Sequence, residues 1–145
     1  MQEELKISQV NTADGEKSSG LQFFETRVQA GFPSPVQGEY ADSIDLNRAL
    51  ITNPAATFCA RVIGDSMVDA GINEGDLLII DRSITPHDGN IAVCFIDGDF
   101  TVKRLSVRDD GVFLTPANAS FPELRVTEDS NFQVWGVVSH IVKRV

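Results

Sequence analysis

Cysteine and histidine are both scarce, and that removes several classes of chemistry at once. The 145 residues hold two cysteines, Cys59 and Cys94, too far apart to make a Cys-x-x-Cys pair. Each falls in an apolar, strand-like run, so both read as reduced core residues and not as a disulfide. The two histidines, His87 and His140, have no second His or Cys at ligand spacing. They read as one loop and one strand histidine, and no metal or other cofactor is expected. Positive charge is thin as well: 12 Lys and Arg face 21 Asp and Glu, a net charge of −9 with no dense basic run. Nucleic-acid affinity comes mainly from cations that replace phosphate counterions. Arg104, Arg108, Lys143 and Arg144 could form only a small patch, so little direct DNA binding is expected. No apolar run approaches the roughly 18 residues of a membrane span. The N-terminal MQEELKISQV carries Glu3 and Glu4 where a secretory signal carries Lys or Arg. Neither membrane anchoring nor export is expected, which leaves a cytoplasmic protein.

What the chain does have is enough apolar material for a core. Hydrophobic residues make up 42% and charged residues 23%, and a chain of this length buries roughly two thirds of its unfolded surface. Residues 1–20 are mostly polar, with Gly15, Ser18, Ser19 and Gly20, and read as a flexible tail. Residues 21–28 could pair as a strand before Pro33 and Pro35 impose an extended path. One helix is expected, capped by Asp42 or Ser43, with residues 44–51 as its body and Asn53-Pro54 as its stop. After it the period changes. Strands are expected at 57–63, 77–80, 91–96, 99–107, 112–115 and 132–142, with a helical turn at 66–70. Asp97-Gly98 is a strong signal for a two-residue hairpin turn. The expected fold class is therefore mainly β, of short strands with one short helix, preceded by a flexible N-terminal arm.

Two residues could carry chemistry. Ser66 follows the Gly64 break at the start of a possible helical turn, where backbone N–H groups could meet an oxyanion. An ordinary N-cap serine would look the same. A nucleophilic serine needs a base, and neither histidine is well placed to serve. Lys103 is the other candidate. With Asp97-Gly98 as the loop, Ile96 faces Asp99, Lys103 falls opposite Ala92, and Cys94 is diagonal to it. A short, uncharged face there could form a small apolar pocket and depress the amine's pKa by desolvation. The demand is large, because at a reference pKa near 10.4 only about one amine in 2,500 is neutral at pH 7. A strand lysine snorkelling to solvent is the competing reading.

Five motifs, taken in order, change the balance. Ala30-Gly31-Phe32-Pro33-Ser34-Pro35, Gly64-Asp65-Ser66-Met67, Gly75-Asp76-Leu77-Leu78-Ile79, Asp97-Gly98 and Phe100-Thr101-Val102-Lys103 occur in this sequence at separations that resemble the LexA/UmuD family of self-cleaving serine peptidases. The likeness spans about residues 28–143. Repressors of the family carry a helix-turn-helix ahead of this domain, and the 30 residues here are too few for one, which favours the UmuD branch. The resemblance implies Ser66 as nucleophile, Lys103 as general base, backbone N–H groups near Asp65 and Ser66 as oxyanion hole, and Ala30-Gly31 as the scissile bond. It implies residues 1–30 as an arm removed by self-cleavage and 31–145 as a peptidase and dimerisation domain. It also implies a homodimer that cuts itself on meeting a RecA filament on single-stranded DNA and then joins a UmuC-like translesion polymerase in the SOS response. The competing readings are a non-catalytic dimeric interaction module, a general peptidase of the signal-peptidase kind, and a prophage repressor fragment. The spacing between Ala30 and Ser66 permits cutting within one chain or across a dimer.

Overall fold

The structure, a computed structural model, describes residues 6–9, 21–24, 31 and 40–145. In chain order the elements are β1 (Lys6–Gln9), β2 (Leu21–Phe24), β3 (Tyr40–Ile44), α1 (Leu46–Leu50), β4 (Thr57–Arg61), β5 (Leu77–Asp81), β6 (Ile91–Ile96), β7 (Asp99–Arg108), β8 (Gly111–Thr115), β9 (Leu124–Arg125) and β10 (Phe132–Val142). Short 3-10 turns occupy Pro54–Ala56 and Val68–Ala70. The mainly β expectation holds. Two compact units are present, a smaller one with β2, β3 and α1 and a larger one with the other strands.

In the smaller unit, β2 pairs antiparallel with β3, Leu21 opposite Ile44 and Phe23 opposite Asp42. That pairing corrects the expected helix. Asp42, Ser43 and Ile44 are taken by the strand, so the cap moves to Asp45, whose carboxylate accepts from the Asn47 N–H at 3.0 Å. Three residues able to cap, Asp42, Ser43 and Asp45, fall within four positions, and pairing decides among them.

The larger unit is one antiparallel sheet in the order β1-β4-β5-β10-β6-β7-β8-β9. Its first strand was not expected. Lys6–Gln9 lies in the stretch read as a polar tail, yet its backbone pairs with β4 from Lys6–Arg61 to Gln9–Phe58. A strand of four residues leaves too short a pattern to find by alternation. The hairpin fulfils its reading: Asp97 and Gly98 take φ of 49° and 91°, and Ile96–Asp99 and Ala92–Lys103 are partners. Positive φ at both central residues is what matches the turn to the strands' twist.

The core lies on both faces of the sheet because β6 alternates. Val93 packs with Val62, Met67, Ile72, Leu78, Ile80 and Val102, while Ala92 and Cys94 pack with Leu105 and Leu114. Each fully buried Val, Leu or Ile side chain here contributes about 1.5–3 kcal/mol. Cys94 is fully buried as expected, whereas Cys59 is only half-buried, and both are free thiols. β10 joins the two halves, pairing β6 through Phe132–Val137 and β5 through Val137–Val142, with irregularities after Val134 and Val138. Between β4 and β5 the chain makes a closed excursion. Val62 N–H donates to Asp76 O at 2.9 Å, and Gly75 N–H donates to Val62 O at 2.8 Å. Residues 63–74 are thereby tied at their neck, and Ser66 sits on this loop.

Candidate active site

Ser66 is held by the segment that follows β8. The Ala117 N–H donates to Ser66 O at 2.8 Å and the Asp69 N–H donates to Ala117 O at 2.8 Å. The Asn118 side-chain amide donates to Asp65 O at 2.9 Å. These bonds draw the serine inward, and it is 1% exposed. It is not a helix cap: the N-cap of the following 3-10 turn is Met67, with no side-chain cap bond.

Lys103 comes from the middle of β7. At 7% exposure it does not snorkel to solvent. Its Nζ donates to Ser66 Oγ at 2.9 Å, joining residues 37 apart in the chain. The same nitrogen donates to Thr101 Oγ1 at 2.8 Å and Val102 O at 3.0 Å. Thr101 was missed in the sequence. Its signal is the strand period, since residues two apart on a strand share a face. Asn118, distant along the chain, gave none.

A cleft of about 400 Å³ opens beside the lysine, with Ile96, Phe100, Phe121, Pro122 and Leu124 on its apolar wall. The expectation of an uncharged face needs correcting, because Asp97, Asp99 and Arg125 also line it. Burial pushes the neighbouring Cys94 thiol up to about 12, against a smaller opposing pull from the charge of Lys103. The thiol is therefore held protonated and adds no second nucleophile at neutral pH.

Ala30 is outside the described residues, and Gly31 forms an exposed bend at φ +136°, a conformation that favours glycine. His87 is exposed in the turn before β6, and His140 is in β10 with Nδ1 3.0 Å from Ser139 Oγ. Among the described residues no cluster of three or more His, Cys, Asp or Glu could hold a metal, and no helix is long and apolar enough to cross a membrane.

A buried serine and lysine in contact on a mainly β scaffold invite comparison with known proteins. A family profile described as Peptidase S24-like matches residues 22–139. The chain belongs to the Peptidase S24-like family. Protein ImpA of Salmonella typhimurium is 44% identical over 130 residues, covering 90% of this chain and 88% of its own. Protein MucA of Escherichia coli is 37% identical over 137 residues, with 94% and 93% covered. LexA repressor 2 of Pseudomonas syringae pv. tomato is 36% identical over 118 residues, 81% of this chain and 58% of the repressor. ImpA and MucA are UmuD-like proteins, and the resemblance read in the motifs stands. UmuD-like S24 relatives support a role in SOS mutagenesis, and the family supports an autoprotease of the serine-peptidase type.

Proposed function

We propose that this chain is a self-cleaving serine endopeptidase in which Ser66 attacks the Ala30-Gly31 bond and Lys103 is the general base. The contact that carries the reading is the 2.9 Å approach of Lys103 Nζ to Ser66 Oγ inside a water-poor setting. A neutral amine has two N–H groups and one lone pair. Thr101 Oγ1 and Val102 O can accept the two N–H groups, leaving the lone pair to take the Ser66 hydroxyl proton.

In the proposed reaction, Oγ attacks the Ala30 carbonyl carbon as its proton passes to Nζ. Backbone N–H groups near Asp65 and Ser66 stabilise the tetrahedral oxyanion. The ammonium then protonates the Gly31 nitrogen while the carbon–nitrogen bond breaks, leaving residues 1–30 as an ester on Ser66. Water adds to the ester and gives its proton to Nζ. Collapse returns that proton to Oγ and releases the Ala30 carboxylic acid, which ionises. A RecA filament on single-stranded DNA accelerates the cut by favouring the conformer with the arm docked over Ser66. The product, residues 31–145 as a homodimer, is the accessory subunit of a UmuC-like translesion polymerase.

Purified full-length protein, incubated at alkaline pH and at neutral pH with activated RecA filaments, tests this by intact-mass measurement. Cutting between Ala30 and Gly31 is expected in both arms. Ser66→Ala and Lys103→Ala should each abolish it without unfolding the chain. Cutting that survives Ser66→Ala, or that maps to another bond, refutes the mechanism.

A further inference from the structure

The two polar ends of the Asn118 side chain are both committed, and one of them holds the backbone at the nucleophile. Nδ2 donates to Asp65 O at 2.9 Å, across 53 residues of sequence. Oδ1 accepts the Ser120 N–H at 3.0 Å. Because one end faces a carbonyl and the other an N–H, the amide has one satisfactory orientation. Its own carbonyl accepts the Phe121 N–H at 3.1 Å, closing the turn that bears it. Asn118 is thus a rigid arm from the β8–β9 connection to the loop that carries Ser66.

The Asp65 carbonyl and the Ser66 N–H belong to one peptide group. In a planar trans peptide the C=O and N–H point in opposite directions, so fixing the carbonyl fixes the N–H. A bond accepted at the carbonyl also polarises the amide and strengthens its N–H as a donor, by about 10–30%. The next peptide is held in the same way, since Ser66 O accepts from the Ala117 N–H at 2.8 Å. Asn118 is the side chain in this arrangement, so substitution can remove it without altering the backbone.

We propose that Asn118 is a positioning residue for the oxyanion hole, aiming and polarising the Ser66 N–H through the Asp65–Ser66 peptide. The inference rests on the reading of Ser66 as nucleophile. It assigns Asn118 no contact with the scissile bond and no part in the Lys103 proton transfer. Its loss should therefore lower the rate at every pH by about the same factor and leave the midpoint of the pH profile in place. Removing a complete oxyanion donor costs about 10²–10³ in rate. Here the donor remains but is less well aimed, and about 10- to 100-fold is expected.

Asn118→Asp tests this because it keeps the shape and the acceptor for Ser120 N–H and replaces the Nδ2 donor to Asp65 O with a carboxylate oxygen, leaving only the longer Val68 N–H bond at 3.4 Å on that carbonyl. Asn118→Ser, which adds no charge, is run beside it and is the variant whose pH midpoint is read. Self-cleavage of the full chain is followed across the alkaline range by intact mass, beside wild type and Ser66→Ala. In parallel, the Ser66 backbone amide is read by nitrogen–proton NMR on labelled full-length Ser66 protein below its melting transition. The expected result is a uniform loss of rate with an unmoved midpoint, together with a shifted Ser66 amide resonance. Should Asn118→Asp fail to fold, Asn118→Ser carries the same two readouts. Wild-type rates, an unmoved Ser66 amide or a displaced pH midpoint would each overturn the proposal. If wild type shows no Ser66-dependent cutting while the amide still shifts, the peptidase reading fails and the backbone-positioning role survives.

Discussion

Replacing Thr101 with valine tests how the base is held, because the change removes one hydroxyl from beside Lys103 and little else. Valine matches threonine in shape and suits a strand. The lost contact is the 2.8 Å bond from Lys103 Nζ to Thr101 Oγ1, while those to Ser66 Oγ and Val102 O remain. A hydrogen bond involving a charged group contributes about 1.5–3 kcal/mol. Repacking recovers some of this, so a loss of about 1–2 kcal/mol in orientation is expected, or a fall of about 5- to 30-fold in the maximal cleavage rate. First-order self-cleavage on the alkaline plateau, followed by intact mass, measures the fall. An unchanged plateau rate refutes the idea that Thr101 orients the base.

Gly136→Ala should destabilise the larger unit by about 1–3 kcal/mol through overpacking, because the added Cβ falls 2.6 Å from Ile80 Cγ2 and 3.2 Å from Arg82 Cγ. Urea denaturation checks it, and an unchanged midpoint would contradict the packing argument. Burial alone would raise the pKa of Asp76, but its bonds to Lys143 and the Asn73 N–H hold it below the usual carboxylate value. A carboxyl depressed in the folded state contributes stability above its unfolded pKa, and that stability is lost as pH falls through the folded value. Lys143→Ala should therefore lower the melting temperature at pH 7 more than in acid below the carboxylate range. Equal losses at both would show that the pair is electrostatically idle.

Legibility followed the range of the forces. The β6–β7 hairpin was readable to single-residue register because Asp97-Gly98 constrains the turn locally and each strand then counts outward from it. β5 was readable because Leu78, Ile79 and Ile80 are apolar in succession and all buried. The helix start failed where pairing chose between adjacent capping residues, with β3 taking Asp42 through Ile44 and leaving Asp45. β1 failed because four residues in polar company carry little pattern. β9, two residues long, could not have been found at all.

The site divides along the same line, and the division bears on how the protein can be perturbed. Lys103 was reachable by counting from the hairpin, and Thr101 was reachable by the same count but passed over. Ser66 stood out by its place after a glycine break. What sequence could not supply was the link between them, because the loop bearing Ser66 is positioned from two distant places. Its neck is closed by Val62 with Gly75 and Asp76, and its flank by Ala117 and Asn118. Such bonds join segments at the ends of β4, β5 and β8, far apart in the chain. The serine–lysine contact is consequently a property of the assembled sheet and not of any segment. A substitution that loosens the neck or the flank should blunt Ser66 while leaving the β6–β7 hairpin, and Lys103 on it, where they are.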